Sequence, residues 1–414
     1  MNRARTPAPE PGARAVRRRP KNRRAQIAAV SAAEFAAQGY HRVSMDDIAA
    51  RLGITSTALY RHYPSKYALF AGELLRLGEV TVAAVSLPEV AAGWPARRRL
   101  GYGIDGIIAE TIVNRTTVGL ARWEHRYLDD PDKRTVDQHF STALADLSAL
   151  IDAVRPGLSA RELRVRAIGV FSTVSCLGDH RVVLASKTLA VLLNTACWAI
   201  IAADLPEPAQ PPPAPRAVET PLSLKHELLL QCAVRLFYER GYPNVSVEDI
   251  AIAAGLPSTS AVYRYYRGKS DLLEAAFRRA ADRMSAVIAP TLAESSGPAE
   301  ALAKLIDMYV AGAFDERELI FVYFAEFGHV PDDERATLRV VQRMVVTEWA
   351  ALLTRVRPGL TPAEAAVLVH AALGLVVDYA RVFGDDERIY PRQWVIRLME
   401  AALFGPAQVR TRPE

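Results

Sequence analysis

The stretch Gly39–Lys66, GYHRVSMDDIAARLGITSTALYRHYPSK, decides the fold, because the chain contains a second version of it. The second version, at Gly241–Lys269, is GYPNVSVEDIAIAAGLPSTSAVYRYYRGK. The pentapeptide VRPGL is also repeated, at Val154–Leu158 and Val356–Leu360, and both repeats have the same offset of 202 positions. Because several features recur at one fixed period, the 414-residue chain is predicted to be a duplicated and diverged unit of about 200 residues.

Each version has the pattern of a helix-turn-helix. Ser44 with Asp47, and Ser246 with Asp249, form capping-box patterns, in which a hydroxyl binds a free backbone N–H and the acid complements the positive end of a helix. Each short helix then ends at a glycine, and a second short helix is expected after the turn. Its small core is predicted to contain Ile48, Ala49, Leu52 and Leu59.

The second short helix carries residues that suit DNA. Ser56–Tyr63, STALYRHY, begins with small hydroxyl residues that can approach base edges, and Tyr60 and Arg61 can reach phosphates. Lys66 and Lys269 fall in the first turn of the following helix, where the helix dipole disfavours a cation. Either a phosphate completes each lysine site or these are solvated surface lysines.

The composition is that of a helical globular protein. Half of the residues are apolar, and strand-like alternation is rare. Three cysteines without metal-like spacing fit a reducing cytoplasm, so we expect a cytoplasmic protein with no metal and no cofactor. The apolar run Thr188–Ala203 is too short to span a bilayer, and no membrane partner is expected.

An enzyme is disfavoured, because the sequence has no HExxH, G-x-S-x-G, glycine-rich phosphate loop or Cys/His cluster. The trio Glu124, His125 and Arg126 is the only one that suggests catalysis. Neighbours in sequence point in different directions around a helix, so no catalytic residue is predicted.

With the whole run of motifs present, each half resembles a tetracycline-repressor (TetR) family regulator. The family pattern is an amphipathic helix ending in GY, then S-x-x-D-I-A, G-[IV] and LY-x-x-[YF]-x-x-K, with Leu256 and Val262 as variations in the second half. The doubled arrangement resembles tandem TetR regulators of actinobacteria. The resemblance implies an all-α fold of two tandem TetR-like units. Each would have an N-terminal three-helix helix-turn-helix DNA-binding domain and a C-terminal helical bundle for ligand binding and dimerisation.

The expected divisions are a basic disordered arm (1–21), a first DNA-binding domain (22–86), a first ligand-binding bundle (87–204), a proline-rich linker (205–221), a second DNA-binding domain (222–290) and a second bundle (291–405). Residues 1–24 contain nine Arg or Lys and one acid. Such an arm favours nucleic acid or a membrane surface as partner, or is a solubilising tail. The linker holds seven prolines and reads as extended.

The resemblance transfers DNA-contact roles to matching positions. In the first half these are Ser44, Ser56, Thr57, Ala58, Tyr60, Arg61, His62 and Lys66. In the second half they are Ser246, Ser258, Thr259, Ser260, Tyr263, Arg264, Tyr265 and Lys269. Core roles are expected instead for Ile48, Leu59, Tyr63, Ile250 and Tyr266, with Tyr40 and Tyr242 as packing residues.

The second half has gained one residue in the turn around Pro257. We predict helices over 259–266 and 270–290 there, and a recognition helix that presents a different face to DNA than the first. Which of Ser258, Thr259 and Ser260 reads the bases stays open.

We expect most aromatic residues of the bundles to lie in the core, and some of them are candidates to line an apolar effector pocket. The candidates are Trp123, Tyr127, Phe171, Phe321, Tyr323 and Phe324. The last two helices of each half, 159–180 with 186–204 and 361–383 with 391–404, are predicted to pair within one chain as a pseudo-dimer. A homodimer of the whole chain stays open.

The sequence as a whole favours a repressor that reads double-stranded operator DNA with two non-identical heads and is released by a hydrophobic effector, lipid-like or aromatic. The operator would then be non-palindromic. The alternatives are an activator and a DNA-binding scaffold that needs no ligand.

Overall fold

The computed structural model describes residues 23–207, 224–384 and 391–405. The arm of residues 1–21 and most of the proline-rich linker, residues 208–221, lie outside the described residues. Within the described ranges the protein consists of α-helices and short 3₁₀ turns, without a β-strand. The prediction of two tandem all-α units is confirmed.

The helices of the first half are α1 Arg23–Gln38, α2 Met45–Leu52, α3 Ser56–Tyr60, α4 Lys66–Val85, α5 Ala96–Val113, α6 Arg115–Trp123, α7 Asp130–Val154, α8 Ala160–Ser175 and α9 Ser186–Ala202. Those of the second half are α10 Lys225–Arg240, α11 Val247–Ala253, α12 Lys269–Ala286, α13 Ile288–Ala293, α14 Pro298–Asp315, α15 Arg317–Ala325, α16 Asp332–Val356, α17 Pro362–Phe383 and α18 Arg392–Phe404. We call α1–α4 the first head, α5–α9 the first bundle, α10–α12 the second head and α14–α18 the second bundle.

The predicted capping boxes form in both heads. The Ser44 hydroxyl accepts the Asp47 N–H at 3.1 Å, and the Asp47 carboxylate accepts the Ser44 N–H at 2.8 Å. Gly53 ends α2 with φ of 63°, a left-handed conformation that suits glycine. The same box forms between Ser246 and Asp249 at the start of α11.

Three helix predictions differ from the structure. The helix predicted over 259–266 is wrong, since only Thr259–Ala261 forms a 3₁₀ turn there. The segment 270–290 is two helices that break at Val287, because Pro290 has no N–H to bond the carbonyl four residues earlier. The helix predicted over 159–180 ends at Ser175 and continues as a 3₁₀ turn.

Lost capping explains the missing helix in the second head. In the first head, the Thr55 hydroxyl accepts the Ala58 N–H at 3.2 Å and caps α3. In the second head, Pro257 precedes Ser258, whose hydroxyl bonds the Ser260 hydroxyl at 2.7 Å. No side chain then caps the turn that follows Ser258, so a short helix is not stabilised at its start.

The two halves pair through the predicted helices. α8 and α9 of the first half pack against α17 and α18 of the second. The Tyr379 hydroxyl of α17 donates to the Val165 carbonyl of α8 at 2.6 Å, and Tyr379 is fully buried. Gly169 leaves the space for this ring, because a Cβ there would lie 2.5 Å from the hydroxyl. The four helices predicted to pair are thus in contact within one chain.

One described helix, Pro362–Phe383, is long and apolar enough to cross a membrane. Most of its apolar stretch is buried against the other helices of the bundle. The core helix of a globular bundle has this same character, so the helix is weak evidence for a membrane span.

A buried arginine also joins the halves. Arg122 of α6 donates to the Asp378 carboxylate at 2.8 Å and to the Gly374 carbonyl at 2.9 Å, both on α17. Within its own half it pairs with Asp179. Burial lowers the pKa of Arg122, but Asp179 and Asp378 outweigh that effect and raise it overall. The arginine therefore stays charged in the interior.

We predict that Arg122→Met destabilises the protein by about 3–5 kcal/mol, because it leaves two buried carboxylates without their main partner. Urea denaturation measures the change. Lys304→Met is the matched control, since it breaks an exposed ion pair with Glu300 and is expected to change stability by less than about 1 kcal/mol. Similar losses in both variants would contradict this role for Arg122.

Candidate DNA-binding surface and effector cavity

In the first head, most residues predicted to contact DNA point to solvent. Thr57, Tyr60, Arg61 and His62 are exposed. Leu59 lies between them in sequence but is fully buried and anchors α3 to the core. α3 and the turn after it thus present hydroxyl, phenol, guanidinium and imidazole groups, which can reach bases and phosphates.

Two other predicted contacts of the first head already have partners within the protein. The Ser56 hydroxyl donates to the Asp46 carboxylate. The exposed Ser44 hydroxyl donates to Asp47 at 2.6 Å as part of the capping box. Ala58 is half-buried. In a contact with DNA, the hydroxyls of Ser44 and Ser56 therefore have to bind the DNA in addition to, or in place of, these two carboxylates.

The second head presents a different set of groups. Its exposed candidates are Ser246, Ser258, Ser260, Tyr263, Arg264 and Tyr265, whereas Thr259 is half-buried. Two exposed tyrosines flank Arg264, where a tyrosine and His62 flank Arg61 in the first head. The two candidate reading surfaces therefore differ in backbone and in chemistry.

Lys66 and Lys269, the two lysines in the first turn of a helix, have partners inside the protein. Lys66 Nζ donates to the Tyr40 carbonyl at 3.0 Å and lies 4.4 Å from the centre of the Tyr40 ring. Lys269 Nζ donates to the Tyr242 carbonyl at 2.8 Å, 4.3 Å from that ring. Partial burial lowers the pKa of both lysines. These contacts explain the position of each lysine without a bound phosphate.

A glutamate attaches each head to its bundle. Glu124 accepts the Tyr40 N–H at 3.4 Å, and Glu326 accepts the Tyr242 N–H at 2.7 Å. Burial raises the pKa of both carboxyls, that of Glu124 to about 7. Glu326 also pairs with Arg126 of the first half at 2.7 Å. Glu326 thus contacts its own head and the opposite half at once.

The first bundle contains a cavity of about 520 Å³. Helices α4 to α8 surround it, and the end of α17 reaches it from the second half. Apolar side chains form much of its wall, among them Leu77, Ile107, Phe140, Ile168 and Phe171. This volume and this lining are typical of a small-molecule site.

Polar groups enter the cavity from α6 and α17. Arg122, His125, Asp378 and Arg381 all line it. Burial, and then nearby cations with Arg381 first, lower the pKa of His125 to about 3, so its ring is neutral at pH 7. The Ala121 carbonyl lies near this ring, but His125 Nδ1 has no well-formed hydrogen bond within the described residues. The cavity therefore combines an apolar wall with two arginines, a carboxylate and a neutral imidazole.

The corresponding positions of the second bundle carry larger side chains. At the repeat offset of 202 positions, Tyr309 corresponds to Ile107 and Tyr323 corresponds to Ala121. Tyr323 is fully buried. The Tyr309 ring packs 6.1 Å from Trp349. Phenol and indole rings thus occupy space that smaller side chains leave open in the first bundle.

The six aromatic ligand candidates are placed at three locations. Phe171 lies in the wall of the cavity. A separate cleft between the halves is lined by Trp123, Tyr323 and Phe324. Tyr127 and Phe321 line neither space and pack at the contact between the halves.

The polar residues of the cavity were missed in the sequence. The signal that could have indicated Arg122 is its position in α6, where it falls on the same face as buried apolar residues. The trio of Glu124, His125 and Arg126 does point in three directions, to a head, into the cavity and across to the other half.

In a comparison with known proteins, the same family model matches a segment in each half. Residues 27–72 and 229–276 match the model of bacterial regulatory proteins of the tetR family. The HTH-type transcriptional activator FasR of Mycolicibacterium smegmatis is 27% identical over 166 residues, which are 39% of this chain and 74% of FasR.

Two solved structures are also similar to parts of the chain. A TetR-family transcriptional regulator from Bordetella parapertussis 12822 is 21% identical with a TM-score of 0.41, over 44% of this chain and 94% of that one. AibR in complex with isovaleryl coenzyme A and operator DNA is 19% identical with a TM-score of 0.39, over 44% of this chain and 99% of AibR.

We predict that Lys66→Met destabilises the first head by about 1–3 kcal/mol, because it removes a charged donor from the Tyr40 carbonyl. Arg61→Met is the control for lost charge, since Arg61 is exposed and its loss is expected to change stability by less than about 0.5 kcal/mol. Urea denaturation measures both variants. Equal stabilities would show that the contact of Lys66 with Tyr40 contributes nothing.

Proposed function

We propose that this chain, a TetR-family transcriptional regulator with two TetR-like halves, is a repressor that a hydrophobic effector releases from a non-palindromic operator. The observation that carries the proposal is the combination of two unlike DNA-binding heads with an apolar cavity in the first bundle. The proposed DNA contacts are the exposed residues of α3 in the first head and of the turn 258–265 in the second.

The difference between the heads supports an asymmetric operator. A palindrome is read by two identical surfaces related by a twofold axis. Here one surface is a capped helix with His62, and the other is a 3₁₀ turn with Tyr265. Two half-sites of different sequence are therefore the natural target of one chain.

Selection of binding sites from random DNA tests the operator. We expect an enriched site whose two halves differ, with Arg61→Ala weakening contact at one half-site and Arg264→Ala at the other. Loss of a phosphate contact is also expected to lower the salt dependence of binding by about one unit of log–log slope. A perfect inverted repeat bound by a single chain would overturn the proposed asymmetry.

The short helix α6 connects the cavity to the first head, and this connection is the proposed mechanism of release. Arg122 and His125 reach the cavity from α6 and the turn after it, and Glu124 between them holds the first head. A ligand that prefers a shifted α6 changes the position of the head, and DNA then opposes ligand binding by the same factor. Moving a site from nearly full to nearly empty needs a preference of about 5.5 kcal/mol. A ligand that buries about 200 Å² more apolar surface in the released state than in the DNA-bound state supplies that difference, which favours a lipid-like or aromatic effector.

Filling the cavity tests the effector site. Ala121→Tyr introduces the residue that the second half has at this position. We expect this variant to bind operator DNA as the wild type does, and to bind the effector at least about tenfold more weakly, because the ring occupies the cavity. Titration of fatty acids and polycyclic aromatics against the protein–operator complex, followed by fluorescence anisotropy, measures release.

The control for the added ring is Ala145→Tyr, on the exposed face of α7. It should respond to effectors as the wild type does. If a compound releases the wild type and Ala121→Tyr equally well, the cavity is not the effector site. If tight-binding compounds leave operator affinity unchanged, the repressor mechanism itself is wrong.

Activation is the second candidate function, because the similar protein FasR is named as an activator. A promoter reporter with the operator in front of it separates the two. Expression that rises when the regulator is deleted supports repression, and expression that falls supports activation.

A further inference from the structure

A cleft of about 600 Å³ lies between the two halves and is separate from the effector cavity. The end of α1, α6 and the loop 178–182 form its first-half side, and α15, α16 and α17 form the other. None of its lining residues belongs to the proposed DNA contacts at 44–66 or 246–269. Four arginines line the cleft, Arg181 from the first half and Arg335, Arg339 and Arg343 from the second.

Three of these arginines form a stripe on α16. Arg335, Arg339 and Arg343 are spaced four residues apart, so they share one face of the helix over about 12 Å. Arg181, from the loop after α8, reaches the cleft from the first half. Burial and then the like charges of Arg335, Arg181 and Arg343 lower the pKa of Arg339. Four cations thus lie close enough to repel one another.

These cations are poorly neutralised within the described residues. Arg335 is buried and pairs with Asp332, yet its Nε has no hydrogen-bond partner. Arg181, Arg339 and Arg343 form no ion pair in the described part of the chain, and only Arg339 has an aromatic neighbour, Phe327. An anion in the cleft would therefore relieve repulsion that the protein itself leaves in place.

The acidic and histidine side chains of the cleft do not cancel this charge. Asp179 is already engaged by Arg122 and by the Trp123 indole N–H. Burial raises the pKa of Glu124 to about 7, so its carboxyl is partly protonated near neutrality. His370, whose pKa burial lowers to about 4, is neutral at pH 7. The arginines dominate the electrostatics.

We propose that this cleft binds a compact small-molecule polyanion through Arg181, Arg335, Arg339 and Arg343. The ligand carries at least two phosphate or carboxylate groups, because the planar arginine fork matches both groups bidentately and the stripe is longer than one such group. Arg181 belongs to one half and the stripe to the other, so the bound anion ties the halves together.

Two of the three stripe arginines have no cationic counterpart in the first half. At the repeat offset, Lys133 of α7 occupies the position of Arg335, but Asp137 and Ser141 occupy those of Arg339 and Arg343. The pseudo-symmetric position therefore has one cation beside an acid in place of three cations, and one polyanion per chain is expected.

Isothermal titration calorimetry on the full chain, without DNA and at fixed ionic strength, tests the site with pyrophosphate, citrate and ATP. We expect saturable binding of at least one of them with one site per chain, and no heat from acetate or adenosine. Pyrophosphate against citrate distinguishes phosphate from carboxylate recognition, and ATP tests whether a longer phosphate chain is preferred.

Arg339→Gln and Arg343→Gln are each expected to weaken this binding at least about tenfold, since a charged hydrogen bond is lost. Arg355→Gln is the matched control, an exposed arginine on the same helix away from the cleft, and should bind as the wild type does. The proposal is overturned if none of the three polyanions binds, or if the two cleft variants bind them like the wild type. It is also overturned if Arg355→Gln weakens binding equally, or if the cleft variants weaken operator binding while no small polyanion binds.

Discussion

The buried charge of Arg122 constrains the rest of the molecule. A guanidinium in a protein interior must keep its counter-ions, and here they come from both halves, Asp179 from the first and Asp378 from the second. Arg381 adds a second tie, because it donates to the Arg122 carbonyl at 2.9 Å. These contacts link α6 to α17, and the same helix borders the cavity of the first bundle and leads to Glu124, which bonds the first head. One helix thus takes part in half–half packing, in the cavity and in head placement.

Local patterns predicted much of the fold, because they depend on a few neighbouring residues. The capping boxes at Ser44 and Ser246, the glycine at the end of α2 and the repeat itself needed no tertiary information. The absence of a helix over 259–266 could not be predicted in this way, because the apolar and polar pattern of that segment is that of a helix. The helix is missing because the Ser258 hydroxyl pairs with Ser260 instead of capping the turn.

The candidate sites were less accessible from sequence, because partners distant in the chain decide them. The position of Lys66 in the sequence suggests a phosphate partner, but the partner in the structure is the Tyr40 carbonyl. Aromatic composition did not distinguish core, cleft and cavity, and of six candidates only Phe171 lines the cavity. Small residues such as Ala121 leave the space for the cavity. This role becomes clear only from a comparison with Tyr323, which occupies the corresponding position in the second bundle. The DNA-contact residues stay predictions, with their exposure as the supporting observation.

The pairing of α8 and α9 with α17 and α18 inside one polypeptide has a consequence for gene dosage. A regulator assembled from separate subunits loses its paired form on dilution, so its occupancy of DNA falls more steeply than its abundance. Here the partner half is covalently attached, and its local concentration is set by the chain and not by the cell. The pairing of the two halves therefore does not depend on the concentration of the protein. Each half is also free to diverge, since every copy of one half always meets the same version of the other.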